Sequence, residues 1–100
     1  MQRSMDLELN ETTVVSRAAS SAFRELEGKM FIVGASSTKL VMLNDTATAV
    51  WRYLDDPRSL GQIANQIVQE FDVDREAALQ DCRVFVETMA QRDLVRIGNQ

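Results

Sequence analysis

The run LVMLNDTATAVWRYL, at residues 40–54, constrains the fold more than any other part of the chain. Its first four residues are all apolar, as in a buried strand, and the pattern changes at Asn44. Asn44 or Asp45 can cap a helix, because either side-chain oxygen accepts hydrogen bonds from free backbone N–H groups. The apolar residues that follow recur at helical spacing and define one helix face: Ala47, Val50, Trp51 and Leu54. The sequence therefore predicts strands before this junction and helices after it.

Three short strands are predicted ahead of the helix, at Ala22–Leu26, Lys29–Val33 and Thr38–Leu43. Glu27 and Gly28 form a two-residue link between the first two strands, where glycine supplies the positive φ that a tight hairpin needs. Strands joined by such short links pair as an antiparallel meander. The second and third strands are apolar on both faces, so we expect helices to cover one face and the N-terminal tail, a second subunit or a ligand to cover the other.

Two further helices follow. Ser59 and Gln62 make a capping-box pattern that opens a helix at Leu60–Phe71, and Asp74 caps a last helix at about residues 75–91. One apolar stripe of the last helix is predicted to pack on neighbouring helices: Ala78, Cys82, Phe85 and Met89. A second stripe is predicted to face the sheet or a groove: Leu79, Val86 and Ala90, with Arg83 at its edge.

The predicted organisation is a flexible N-terminal tail at residues 1–12 and one domain at residues 13–97. The fold class is α+β, similar to a winged helix-turn-helix, with a three-stranded antiparallel sheet followed by three helices.

Composition argues against most catalytic and metal chemistry. The chain of 100 residues has no histidine and one cysteine, so it lacks the usual general base and cannot form an internal disulfide. Cys82 lies on the main apolar stripe and is predicted to be buried. The acidic start at Asp72 fails as a calcium loop, since Ala77 and Arg83 occupy the positions of the required glycine and acid. We expect no enzymatic activity, no cofactor and no metal.

Charge and hydropathy limit the classes of partner that the protein can bind and indicate its cellular location. The net charge is −4 and no two basic residues are adjacent, which disfavours nucleic acid and anionic membranes. No apolar run is long enough for a signal peptide or a membrane span, so a cytoplasmic location is predicted.

The order of motifs resembles the PqqD family, named for pyrroloquinoline-quinone biosynthesis protein D, whose members are also called precursor-peptide recognition elements. The resemblance is strongest over residues 43–94 and rests on an ordered set of residues: Leu43-Asn44, Ala47, Ala49-Val50-Trp51, Leu54-Asp55, Ser59-Leu60, Ile63-Ala64, Glu70-Phe71-Asp72-Val73-Asp74, Phe85, Met89 and Leu94. Members commonly have glycine near Pro57 and at the position of Asp93. Asp tolerates the left-handed conformation better than most residues, so we expect the second turn to survive.

The resemblance implies a non-catalytic adaptor that binds the leader of a ribosomally synthesised precursor peptide. The leader would lie as an extra strand against the third strand, beside the last helix. The adaptor would then present it to a modifying enzyme such as a radical-SAM protein, a cyclase or a leader peptidase.

The residues themselves favour the same site, because the third strand would be a sheet edge with open backbone groups. Arg83 is expected either to pair with an acidic leader residue or to be a solvated surface charge. The full set of predicted peptide-binding residues is Thr38, Lys39, Leu40, Val41, Met42, Leu43, Leu79, Cys82, Arg83 and Val86.

Three alternatives stay open at this point. The two short helices after a strand pair are also typical of a winged-helix DNA-binding regulator, although the last helix carries two arginines against four acids. A homodimer could form through the apolar strand edge of an assembly subunit. The N-terminal tail could also cover that edge.

Overall fold

The computed structural model describes residues 9–19, 21–34 and 40–98. Six strands and three helices lie in these ranges. In chain order they are β1 Val14–Arg17, β2 Ala22–Leu26, β3 Lys29–Val33, β4 Val41–Leu43, α1 Asp45–Tyr53, β5 Arg58–Ser59, α2 Leu60–Glu70, α3 Arg75–Gln91 and β6 Val95–Ile97. The predicted α+β class, with a three-stranded antiparallel sheet followed by three helices, is confirmed.

The strands form two sheets rather than one. The predicted meander is present as the order β2-β3-β4, and we call it the meander sheet. A second antiparallel sheet, with the order β5-β1-β6, brings together strands from near the two ends of the chain, and we call it the terminal sheet. The sequence prediction did not include this sheet, because its strands are only two to four residues long and carry little periodicity.

The turn between β2 and β3 has the predicted two-residue geometry. Leu26 pairs with Lys29, and the two residues between them, Glu27 and Gly28, have φ angles of 53° and 80°. Positive φ at both positions is the signature of the hairpin turn whose twist matches that of the flanking strands. Asp93 also has a positive φ, of 60°, so the expected left-handed turn is found there.

The helix starts follow the predicted caps. The Asn44 side chain accepts from the backbone N–H of Ala47 at 2.8 Å, and Asp74 accepts from that of Ala77 at 2.8 Å. Ser59 and Gln62 form the complete capping box at the start of α2. Each cap satisfies N–H groups that would otherwise lack partners, which fixes where the helix begins. Within the described ranges, no helix is both long and apolar enough to cross a membrane.

Trp51 joins the two sheets at the centre of the core, where it is fully buried, as predicted. Phe23 of the meander sheet packs edge-on against it, with ring centroids 5.7 Å apart. Arg17 of the terminal sheet lies over both rings, 4.5 Å from the centroid of Phe23 and 4.9 Å from that of Trp51. Its guanidinium also donates to the Trp51 carbonyl oxygen at 2.6 Å. Desolvation at this position lowers the pKa of Arg17.

The predicted tail boundary at residue 12 is wrong in part. Leu9 is buried in the core, and the backbone N–H of Gly61 donates to the Glu11 carbonyl at 2.9 Å. The Glu11 carboxylate also binds Arg75 at 2.6 Å, which lowers the pKa of that carboxyl group. Leu9 was assigned to the tail because Leu7 and Leu9 alternate only weakly within a polar segment. Residues 1–8 lie outside the described part of the chain.

Candidate functional site

An open groove of about 390 Å³ lies between β4, the start of α1 and α3. Its floor and walls are mainly apolar, with a few neutral polar groups and one acid. The lining residues are Val41, Met42, Leu43, Asn44, Thr46, Ala47, Val50, Asp81, Val84, Phe85, Thr88 and Met89. The groove forms because β4 passes into α1 through the Asn44 cap, which holds the strand beside α3.

One face of α3 supplies the helical wall. Asp81, Val84, Phe85 and Thr88 follow the spacing i, i+3, i+4 and i+7, which places them on the same side of a helix. Phe85 is almost buried beneath the groove, whereas 51% of Val84 is exposed at its rim. A large apolar side chain exposed beside a concave surface favours contact with a ligand or partner.

The opposite wall is a sheet edge. β4 pairs with β3 on one side, from Met30↔Leu43 to Ile32↔Val41. Within the described residues, no strand pairs with the other side of β4. Backbone groups that point away from β3 are therefore available for a further strand, and they face along the same groove that α3 lines.

The structure places part of the predicted peptide-binding set at this groove. Val41, Met42 and Leu43 line it, and Leu40 immediately precedes them and is 65% exposed. Thr38 and Lys39 lie outside the described residues. The predicted third strand, Thr38–Leu43, is thus described as a strand over Val41–Leu43.

The four residues predicted on the last helix lie elsewhere, which corrects their placement on the groove wall. Cys82 and Val86 are fully buried in the core. Leu79 and Arg83 line a separate depression on another side of α3. The Arg83 Nε donates to the Leu9 carbonyl at 3.0 Å, so it is not directed into the groove. Of the second stripe, Val86 therefore faces the core, while Arg83 contacts the Leu9 segment that was assigned to the tail.

The sequence reasoning left out the groove residues before and within α1, which are Asn44, Thr46, Ala47 and Val50, and those on α3, which are Asp81, Val84, Phe85, Thr88 and Met89. Val84 gave the signal that could have revealed the α3 side of the groove, because it is apolar and belongs to neither of the two stripes drawn on α3. Asp81 and Thr88 are polar residues on the same side and carry no such signal.

The electrostatics of the groove also differ from the prediction. Asp81 is the charged member of the lining, so the groove favours a cation rather than the acidic leader residue predicted to pair with Arg83. Burial, with a smaller contribution from the charge of Asp81, raises the pKa of the neighbouring Cys82 thiol to about 12. A thiol held protonated in this way is a poor nucleophile. Among the described residues, no group of three or more His, Cys, Asp or Glu side chains is placed to hold a metal ion.

The fold and the groove define a small α+β domain with an open sheet edge held beside a helix. The family model described as "Coenzyme PQQ synthesis protein D (PqqD)" matches residues 7–95. The chain belongs to the PqqD family, and the resemblance inferred from the sequence is confirmed.

Curated relatives of the same kind occur in two Xanthomonas strains. The chain is 36% identical over 59 residues to the "PqqA binding protein" of Xanthomonas euvesicatoria pv. vesicatoria (strain 85-10), and equally to that of Xanthomonas axonopodis pv. citri (strain 306). The matched region covers 59% of this chain and 64% of each relative.

Solved structures share the fold. TbiB1 in complex with the TbiA(beta) leader peptide has a TM-score of 0.75 at 17% identity, covering 81% of this chain and 94% of that one. Lasso peptide synthetase B1, complexed with its leader peptide, has a TM-score of 0.73 at 21% identity, covering 82% and 96%. The PqqD part of Methylobacterium extorquens PqqCD, a stand-alone recognition element, has a TM-score of 0.73 at 21% identity, covering 88% and 94%.

Proposed function

We propose that the protein is a peptide-binding adaptor that captures the leader of a ribosomally synthesised precursor peptide by strand addition to β4. The observation that carries this proposal is the edge of β4, which no described strand covers and which runs beside an apolar groove. Membership of the PqqD family and the names of the Xanthomonas relatives, which bind PqqA, support it.

The binding step follows from strand geometry. A peptide lying along β4 exchanges backbone hydrogen bonds with the outward N–H and C=O groups of residues 40–43, which gives affinity for many sequences. Specificity comes from the side chains that point into the groove, where Val84 and Phe85 offer apolar contact. Asp81 at the groove favours a lysine or arginine on the peptide, because opposite charges attract and like charges repel.

The role is that of an adaptor rather than a catalyst. The bound leader is held in one place on the domain while the rest of the precursor is free to reach a modifying enzyme, such as a radical-SAM protein, a cyclase or a leader peptidase. A cytoplasmic location accords with a lone reduced cysteine, Cys82, and with a partner peptide that has just been translated.

Proline substitutions test strand addition directly. Successive residues of a strand point their N–H groups to opposite sides, so one of Val41 and Met42 donates towards β3 and the other towards the open edge. Val41→Pro and Met42→Pro therefore form a matched pair: one should lower the melting temperature, and the other should mainly weaken peptide binding. The ligand is a synthetic peptide obtained by selecting a displayed library of random 12-residue peptides on the wild-type protein.

We expect the proline variant that keeps the wild-type melting temperature to bind the selected peptide at least about 10-fold more weakly, since a backbone hydrogen bond is lost and the proline ring obstructs the edge. Wild-type affinity in that variant would contradict strand addition. A selection that enriches no peptide on the wild-type protein would contradict peptide binding altogether.

A further inference from the structure

The outer face of the meander sheet is apolar and uncovered by the described residues. Register pairs Ala22 with Val33 in one cross-strand row and places Arg24, Phe31 and Met42 in the next. Continuing the ladder by one residue before β4 brings Leu40 opposite Val33. All of these residues except Met42 line a shallow depression of about 420 Å³, together with Phe23 and Leu26. Leu40 and Met42 are 65% and 59% exposed, which is unusual for large apolar residues on adjacent rows.

This outer face is continuous with the proposed peptide site, because both meet at β4. Side chains of β4 alternate between the two faces of the sheet. Leu43 points to the core and is buried, while Leu40 and Met42 are exposed at the edge, where Leu40 lines the outer depression and Met42 also borders the groove. Any strand added to β4 becomes the fourth strand of the same sheet and acquires the same two faces.

Alternation then decides what such a strand contacts. Side chains at every second position of the peptide point towards the groove, where they meet Val84 and Phe85 of α3. The side chains between them point to the outer face, directly opposite or diagonal to Leu40 and Met42. A polar residue there would leave both of these exposed, whereas an apolar residue would cover them and extend the two rows to which Phe31 and Val33 belong.

We infer that the leader is recognised on both faces of the added strand, by an uninterrupted run of about four apolar residues, rather than by the alternating pattern that a one-sided groove would select. This inference rests on the proposed function and names the class of peptide that the site takes. The occupant of the outer face beside β4 is thus the leader itself.

The test compares selections on two variants in which exposed residues are replaced. The outer-face variant is Leu40→Ser, at a residue that lines the outer depression and is 65% exposed, and the matched groove variant is Val84→Thr, at a residue that is 51% exposed. A displayed library of random 12-residue peptides is selected on the wild type and on each variant. Melting temperatures check the fold, and Leu40→Ala provides the same readout if Leu40→Ser does not fold.

On the wild type, we expect the enriched peptides to share about four consecutive apolar residues. On the outer-face variant, apolar residues should remain only at every second position. The peptide selected on the wild type should bind this variant roughly 10-fold more weakly, because the apolar contact with the Leu40 side chain is lost. Peptides selected on Val84→Thr should no longer need apolar residues at the positions that face the groove, but should still have them at the positions that face the outer side of the sheet.

Two results would overturn the inference while leaving peptide binding intact: alternating apolar residues already selected by the wild type, or the same consecutive run selected by the outer-face variant. A third concerns a second copy. If sedimentation shows a wild-type dimer that dissociates in the outer-face variant, with the selected peptides unchanged, the outer face serves self-association. Enrichment of no peptide on any protein would reject the proposed function together with the inference.

Discussion

The two sheets of this domain have the same number of strands and opposite surroundings. In the terminal sheet, the central strand β1 is paired on both sides, and its Val15 is fully buried. In the meander sheet, one face packs on the core through Met30 and Ile32, while the outer face and the β4 edge are uncovered by described residues. The terminal sheet therefore contributes mainly to the core, whereas the meander sheet leaves one face and one edge exposed.

The difference shows how a domain of this size separates stability from recognition. The terminal sheet lies under α3 and brings the segment after Leu9 together with β6, so changes there act on the whole core. The meander sheet is attached through its inner face and through Phe23 against Trp51. Its outward residues contribute little to folding and remain available for a partner.

Replacing Trp51, which contacts residues of both sheets, should have the largest effect on the free energy of unfolding. Trp51→Ala is expected to lower the free energy of unfolding by about 3–5 kcal/mol, because it leaves a large cavity beneath both Phe23 and Arg17. Trp51→Phe should cost much less, since the buried indole N–H makes no hydrogen bond with the described atoms. Chemical denaturation measures both variants. Equal losses would contradict the packing role assigned to Trp51.

Two side-chain truncations, one in each sheet, test whether the terminal sheet serves stability and the meander sheet serves recognition. Val15→Ala should destabilise the protein by about 2 kcal/mol, because buried methyl groups are removed from the terminal sheet. Met42→Ala, at an exposed position of the meander sheet, should change the unfolding free energy by less than about 0.5 kcal/mol and should weaken peptide binding. Comparable destabilisation by the two substitutions would remove the distinction between the sheets.

The same contrast between covered and open surfaces occurs across α3, where Cys82 faces the core and its neighbour Asp81 faces the groove. The pKa of Cys82 is about 12 in the folded protein, compared with an ordinary value of 9.0. Between these values the folded state keeps a proton that the unfolded state releases. Stability should therefore fall as pH rises from about 9 to 12, by about 1.4 kcal/mol per pH unit at most.

Cys82→Ala removes this titration and should flatten the pH dependence, although the substitution also lowers stability by a constant amount. Urea denaturation at several alkaline pH values gives both quantities. If the free energy of unfolding had the same pH dependence in both proteins, the pKa of the Cys82 thiol would not be raised by folding.

The smallest expected effect concerns the turn of the meander sheet. Glu27 adopts a φ of 53°, which asparagine tolerates better. Glu27→Asn should stabilise the protein by about 0.5 kcal/mol without altering peptide affinity, because Glu27 lies in the turn between β2 and β3 and does not line the groove. Thermal unfolding together with a binding titration checks both parts.

Much of the fold was predictable because its signals are local. The caps at Asn44, Ser59 and Asp74, the hairpin at Glu27-Gly28 and the buried Trp51 each follow from short-range patterns. The terminal sheet was not predictable in this way, since Val15 pairs with Arg58 and Ile97, more than forty residues distant in each case. No periodicity in so short a strand reveals such partners.

The strand half of the candidate site was predictable and the helix half was not. An apolar strand before a capped helix identifies Val41–Leu43 at once. The side of α3 that faces the groove depends on what covers its other sides, and this is decided by Leu9, a single buried residue at the start of the described chain. With Leu9 in the core, Val86 turns inward and Val84 is left beside the groove.

The central claim is that a peptide completes the β4 edge, and amide hydrogen exchange tests it most directly. Exchange is followed at each of the residues 40–43 with and without a library-selected peptide. The account predicts slower exchange at alternate residues, either Leu40 and Met42 or Val41 and Leu43, because only the N–H groups that point outward gain partners. Unchanged exchange at all four amides of a protein saturated with peptide would contradict it.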